Sequence, residues 1–289
     1  MNRNWKKYNQ SLVRRGEIML SFDAMEQWGA ELKEMNHKKE GHQFVYPESF
    51  MEALGYCHLY LHLPFRQTEG LIKSHLQSKS KTPTYSAIWK RVNKLHIKMN
   101  PKLGKDIIII AIDSTGIKVA NRGERMRQKW QKRRGFLKIH VAVDVKSKQI
   151  TGLEITDDKS HDSKYFISLV EQSKQFGNVT KTLADGAYDA KDNFSYCHYD
   201  NEIIPAIRTR KNSSIVTDFY PRRKSVLAQL FNYDLWKLSV SYGDRWIVEG
   251  VFSAFKRMFG KYVTSHKREN MIHELKMKVC LYNKMIAMQ

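Results

Sequence analysis

The stretch DIIIIAID, residues 106–113, constrains this chain more than any other. Branching at Cβ favours extended backbone, and a run with no polar position suits a strand covered on both faces. The fold therefore needs a sheet with helices packed on it, and the rest of the chain has to supply both.

It does so in a readable order. FLKIHVAVDV alternates in part and predicts a second strand, and QITGLEIT predicts a third, so the three form an antiparallel meander. An amphipathic helix over DSKYFISLVEQSKQ follows, with Ser160 or Asp162 as N-cap, then a short strand TKTLAD, a helix near KDNFSYCHYDN and a strand EIIPAIRT. The order β-β-β-α-β-α-β predicts an α/β fold with a mixed five-stranded sheet flanked by helices, which is the order of the ribonuclease-H-like fold. Residues 208–240, rich in Arg, Lys, Ser and Asn, read as an irregular insertion before the last helix of that domain.

Ahead of the sheet, up to about residue 100, the pattern is helical: FMEALGYCHLYLHL, FRQTEGLIKSHLQ and TYSAIWKRVNKLHIK, separated by Pro64 and by SKSKTPT. Residues 1–100 are thus expected to form a helical DNA-binding region, helix-turn-helix-like at about 65–98, and residues 101–289 a catalytic domain. On the third helix Lys90, Lys94 and Lys98 recur at four-residue spacing with Arg91 beside them, a face suited either to DNA or simply to water.

Fifty Lys and Arg against twenty-nine Asp and Glu give a formal net charge of +21, an excess that implies a polyanionic partner. No apolar run is long enough to span a bilayer, and the basic N-terminus MNRNWKKYNQ lacks a signal-peptide core, so a cytoplasmic, nucleoid-associated protein without a membrane role is expected. Cys57, Cys197 and Cys280 are scattered, offering neither zinc spacing nor a disulfide framework. HExxH, paired CxxC and GxSxG are all missing, which removes zinc hydrolases and Ser-His-Asp hydrolases.

Chemistry is then left to carboxylates. Asp113 ends the isoleucine run, Asp185 ends TKTLAD, and a carboxylate at the end of a central strand is held rigidly at the sheet's rim. Each is also an ordinary turn former, and Asp144 or Asp189 could take either place. In SYGDRWIVEGVFSAFKRMFG, residues 241–260, a helical wheel puts Ile247, Val251, Phe255 and Met258 on one stripe and Glu249, Ser253 and Lys256 opposite it. Arg245 stands one turn before Glu249, either as a solvated ion pair or as part of a site, with Tyr242 a turn earlier. Adjacent carboxylates either share a proton or are neutralised by divalent cations, and oxygen ligands select Mg²⁺ or Mn²⁺. Two such ions, roughly 3.5 to 4 Å apart and completed by Glu249, suit phosphodiester chemistry, with Arg245 and Lys256 holding flanking phosphates.

The spacing Tyr242, Arg245, Glu249, Lys256 reproduces the Y-R-E-K signature of bacterial insertion-sequence transposases. AIDSTGIKVANRGE with QKWQKRRGFLKIHVAVD resembles the first-aspartate block of their IS-five-like group, and LADGAYD the second. ITDDKSHDS and LPFRQTEGLIKSHL with TPTYSAIWKR extend the resemblance over most of the chain from about residue 45. It implies a DDE transposase that binds its element's ends, cleaves DNA and joins it to a target, with Asp113, Asp185 and Glu249 holding two Mg²⁺ or Mn²⁺ ions. Water would be the first nucleophile and the freed 3′-hydroxyl the second. It further implies that Arg245 and Lys256 contact phosphates at the element's end, that Tyr242 lies near that terminus, and that the partners are double-stranded DNA, as terminal inverted repeats and target, and a second copy in a homodimer.

Around those residues the chain is densely basic. Arg122, Arg125, Arg127, Lys129, Lys132, Arg133 and Arg134 form a hairpin or loop expected to face phosphates, with Trp130 stacking on a base or pinning the loop. Arg208, Arg210 and Lys211 would hold target or element DNA. Two other readings stay open: a catalytically inactive, transposase-derived DNA-binding protein, and a structure-specific nuclease of the same fold.

Overall fold

The computed structural model describes residues 5–20, 27–75, 82–104, 107–119, 136–157, 159–213 and 220–288. The chain forms two compact units, residues 1–98 with 267–289, and residues 99–266.

The first unit is helical: α1 (Trp5–Leu20), α2 (Trp28–Asn36), α3 (Glu48–Tyr60), α4 (Phe65–His75), α5 (Tyr85–Val92) and, from the far end of the chain, α11 (Arg268–Ile286). Met51, Leu54, Ile88, Val92, Leu275, Met277 and Leu281 are among its buried residues. Gly55 lets α3 and α11 approach closely, since a Cβ there would lie 2.4 Å from the Met277 terminal carbon. Thr84 caps α5 by accepting from the Ala87 amide, and a Glu69 carboxylate oxygen on α4 accepts the Tyr85 amide at 2.7 Å, tying the two helices together.

The basic face expected on the third helix does not form as a helical stripe. α5 stops at Val92, so Lys94 and Lys98 lie beyond it. Asn93 ends the helix, its side chain donating to the Trp89 carbonyl at 2.8 Å, and the following chain is drawn into tertiary bonds by Glu48 on the His96 amide and by His273 on the Leu95 carbonyl. Arg91 is also turned inward. It donates to the Tyr46 carbonyl and lies over the Phe44 ring at 4.5 Å, and burial lowers its pKa. Lys90 and Lys94 are exposed.

The second unit holds the sheet: β1 (Ile107–Val119), β2 (Phe136–Asp144), β3 (Ile150–Asp157), β4 (Asn178–Ala184), β5 (Ile204–Ile207) and β6 (Tyr262–Val263). Its order is β3-β2-β1-β4-β5, with β1, β2 and β3 antiparallel in succession and β4 and β5 parallel to β1. That is the topology expected from the order of the elements. Two details differ. The sheet has six strands, because Tyr262 and Val263 pair with Lys118 and Val119, and β1 runs six residues past Asp113, paired with β2 to Lys118.

Ile108, Ile110 and Ile112 face a core made with Phe166, Leu169 and Val170 of α6 (Phe166–Lys174), with Phe194 of α7 (Lys191–Ser195) and with Tyr188. Gly152 on β3 admits the α6 backbone, since a Cβ would sit 2.8 Å from the Leu169 carbonyl oxygen. Neither Ser160 nor Asp162 caps α6, which is entered through a 3₁₀ turn at Asp162–Tyr165. Asp162 is held instead by Lys138 at 2.5 Å, with His140 Nδ1 lying 3.3 Å away; burial lowers the His140 pKa to about 4, so that ring is neutral near pH 7. The insertion is not irregular where it is described: α8 (Tyr220–Phe231) and α9 (Tyr233–Ser239) form a helical hairpin, with Asn232 accepting from the Leu235 amide as the cap between them. The three cysteines are buried, and no disulfide joins them.

Candidate active site

The last β1–β4 register pair is Ile112 with Ala184, so Asp113 and Asp185 are the next residues on two neighbouring parallel strands. Such strands lie about 4.8 Å apart, and side chains at matching positions share a face. Because Ile112 and Ala184 point into the α6 core, the two aspartates project to the opposite face. The expectation that Asp113 ends its strand is thus corrected: it lies within β1, still paired with β2, beside the point where β4 stops.

On that face packs α10 (Trp246–Phe259). Its buried residues are Val248, Val251, Phe252, Phe255 and Phe259, a stripe rotated from the one read off the sequence, since Ile247 and Met258 are only half-buried. The rotation keeps Glu249 outward, its side chain 58% exposed, and turns Lys256 towards the sheet, where it donates to Thr115 Oγ1 at 2.5 Å. Burial, with Lys261 nearby, lowers the Lys256 pKa.

Arg245 joins the helix to the strand, donating to Glu249 Oε1 at 2.7 Å and to Asp113 Oδ2 at 3.4 Å. Each aspartate also accepts a local amide: Ser114 on Asp113 Oδ1 at 2.7 Å and Ala187 on Asp185 Oδ1 at 2.8 Å, the latter capping the turn Gly186–Tyr188. The Asp113 carboxyl is pushed up to about 6. Burial is the largest cause, Asp185 and Glu249 add to it, and the Ser114 amide and Arg245 oppose it. Three negative charges therefore act on one another, with one guanidinium between two of them.

Tyr242 is buried. Its hydroxyl donates to the carbonyl of Ala184, the residue before Asp185, at 3.2 Å, its ring lies 5.0 Å from Trp236, and burial pushes its pKa up to about 12. Ser241 before it adopts φ +55, a left-handed conformation. The loop after Asp185 is braced from the insertion, where Arg210 donates to the Gly186 carbonyl at 3.1 Å. Arg208 lies over the Tyr233 ring, and Lys211 is exposed.

The two substitute acids have other work. Asp144 pairs in register with Ile110, towards the opposite rim, and accepts the Ser147 amide in the β2–β3 turn. Asp189 is bound by Arg222 through two bonds of 2.7 and 2.9 Å and also by Ser213 and the Arg210 amide. Burial would raise its pKa, but these partners outweigh burial and lower it. Thr115, Arg222 and Trp236 were not singled out as site residues by the sequence, and no local pattern marks them, since their partners are up to 141 residues away. Arg122, Arg125, Arg127, Lys129, Trp130, Lys132, Arg133 and Arg134 lie outside the described residues.

Among the described residues no group of three or more His, Cys, Asp or Glu stands close enough together to hold a metal ion. The donor chemistry nonetheless suits one. Asp113, Asp185 and Glu249 are hard oxygen ligands, burial and after it the charges of Asp185 and Glu249 raise the Asp113 pKa, and Arg245 occupies the cationic place between two of them. Among the same residues, no helix is long and apolar enough to cross a membrane.

The sheet thus places Asp113 and Asp185 side by side, facing α10 with Glu249 and Lys256 on it and Arg245 just before it. A family model described as Transposase DDE domain matches residues 104–284, and a second with the same description matches residues 13–122. The chain belongs to the DDE transposase family. Among solved structures it is similar to a chain of the Drosophila P element transposase strand transfer complex, at 10% identity and TM-score 0.36, covering 93% of this chain and 85% of that one. It is also similar to a chain of the Mos1 strand transfer complex, at 11% identity and TM-score 0.24, covering 78% and 82%. A chain of the simian T-cell lymphotropic virus intasome in complex with PP2A regulatory subunit B56 gamma matches at 15% identity and TM-score 0.28, covering 68% of this chain and 65% of the other's length.

Proposed function

We propose that this transposase, of the IS-five-like group with the Y-R-E-K signature, binds the ends of its own insertion sequence, cleaves there and transfers the cut strand into target DNA. The observation that supports this most is the placement of Asp113 and Asp185 at successive register positions, with Arg245 linking Asp113 to Glu249. Asp113, Asp185 and Glu249 would hold two divalent cations, Mg²⁺ or Mn²⁺, which when bound lower the pKa of a water or 3′-hydroxyl and stabilise the leaving oxygen.

The remaining roles fall to the chain's own side chains. Arg245, once released from Glu249, offers its planar fork to a phosphate beside the scissile bond. Lys256, steadied by Thr115, offers a second positive charge. Tyr242 acts as a positioning residue, because its hydroxyl fixes the carbonyl next to Asp185. DNA recognition is assigned to the helical unit, with Lys90 and Lys94 as phosphate contacts, and to the basic stretch from Arg122 to Arg134. Two copies acting on two ends would make the active complex a homodimer.

The test is strand transfer, using purified protein, a labelled duplex bearing the element's end, a plasmid target, and Mg²⁺ or Mn²⁺ added or withheld. Joined product that needs both the metal and Asp113 is expected. Cutting without joining would point to the nuclease reading, and binding without either to an inactivated DNA-binding protein.

A further inference from the structure

The hairpin of α8 and α9 carries an apolar surface that the site does not use. Leu227, Leu230, Phe231, Leu235 and Leu238 are 43%, 61%, 88%, 59% and 77% exposed. Single exposed leucines are ordinary, but five large apolar side chains on one two-helix element are not.

These are not core residues that have lost their place. The inward face of the hairpin is complete without them: Val226 is buried, Gln229 donates to the Ile207 carbonyl and accepts from the Thr209 amide, and Trp236 packs on Tyr242. Lys181 on β4 donates to the Val240 carbonyl at 3.1 Å and anchors the hairpin's far end.

Charge decides what could cover this surface. Between Ser225 and Ser239, SVLAQLFNYDLWKLS, the one cation is the exposed Lys237, a sparse count in a chain of net charge +21. A DNA-contacting face needs cations, so this one is poorly suited to phosphates. Two copies of so basic a chain repel each other, and they approach at least cost where positive charge is sparse. The five side chains expose on the order of 600 Å² per copy, near the roughly 800 Å² per partner of a standard interface. Arg223 and Lys224 on α8, with Asp234 and Lys237 on α9, are exposed and supply both signs of charge around it, which a self-complementary two-fold contact can pair.

We propose that the α8–α9 hairpin is the surface through which two copies of this chain associate about a two-fold axis. The contact goes beyond the cutting chemistry and is read by mass, so its failure would be separate from failure of the transposase reading.

The experiment is sedimentation equilibrium of the full chain at micromolar concentrations, with and without a duplex bearing the element's end, on wild type and on Phe231→Lys/Leu238→Lys. Both positions are largely exposed, so the fold should survive, and circular dichroism checks this. Wild type is expected at twice the mass of one chain in at least one condition, and the double variant should weaken that association roughly 100-fold or more by placing unpaired lysines in the contact. A second reading comes from Phe231→Cys with a short bis-maleimide, which should give a cross-linked dimer, whereas wild type, whose three cysteines are buried, should not. Wild type that stays monomeric in both conditions, or a Lys variant that dimerises undiminished, would overturn the proposal.

Discussion

Replacing Asp113 with Asn is expected to stabilise the metal-free protein at neutral pH while ending its activity. The carboxyl is buried beside Asp185 and Glu249, and its pKa rises from 3.8 to about 6, burial being the largest cause. A rise of about two units at about 1.4 kcal/mol each corresponds to about 3 kcal/mol. The sign follows from the direction of the shift. The folded state holds this proton more tightly than the unfolded chain does, so the contribution is fully present below about pH 4 and is lost as pH rises through about 6. Asparagine keeps an acceptor for the Ser114 amide and carries no charge, so the variant lacks that slope. At pH 7.5 with a chelator it should exceed wild type by up to about 3 kcal/mol, or roughly 6 to 12 °C in Tm for a unit of this size, and at pH 4 the two should nearly coincide. Calorimetry across that pH range measures the gap, and adding Mg²⁺ should raise Tm for wild type alone. An Asn variant less stable than wild type at pH 7.5, or a gap independent of pH, would show that the attraction of Arg245 outweighs burial and repulsion, and the reasoning would fail.

Glu249→Gln should abolish cleavage while leaving binding of an end-bearing duplex within a few-fold of wild type, since Glu249 is proposed to hold metal rather than phosphate; gel shift and cleavage assays read both, and wild-type rates would refute the role. Tyr242→Phe should cost about 1 kcal/mol by removing the bond to the Ala184 carbonyl, and should lower kcat more than it weakens DNA binding, because only the support of Asp185 is loosened. Arg222→Ala should destabilise by about 3 to 5 kcal/mol, since it strands the buried Asp189 carboxylate without its bidentate partner; a loss under 1 kcal/mol in urea denaturation would contradict that account.

Much of the second unit was legible because its signals are local. The isoleucine run, the period-2 segments and the amphipathic stretches each report their own backbone, and the order of these elements along the chain leaves few ways to arrange the strands. Where the reading failed, a distant contact had overruled a local preference. A helix of TYSAIWKRVNKLHIK is plausible by propensity, yet Glu48 and His273 take the backbone at His96 and Leu95, so the helix ends at Val92 and the lysine stripe with it. Arg91 looked like a DNA contact because sequence carries no record of the Phe44 ring beneath it. The insertion appeared irregular from its polar composition, although its leucine spacing was already that of a helix.

The sequence by itself determined that a buried mixed sheet with an antiparallel meander exists, that one aspartate follows the strand TKTLA and another follows the isoleucine run, and that Arg245, Glu249 and Lys256 recur at helical spacing. These follow from periodicity and chain order, which are one-dimensional properties. Only the tertiary structure decided that Asp113 and Asp185 fall at matching register, that Thr115 receives Lys256, that Tyr242 is spent on holding the Ala184 carbonyl, and that Arg245 stands between two acids. The physical reason is that register and side-chain pairing are set by which surfaces bury against each other, an energy shared among residues up to 141 positions apart that no local window contains.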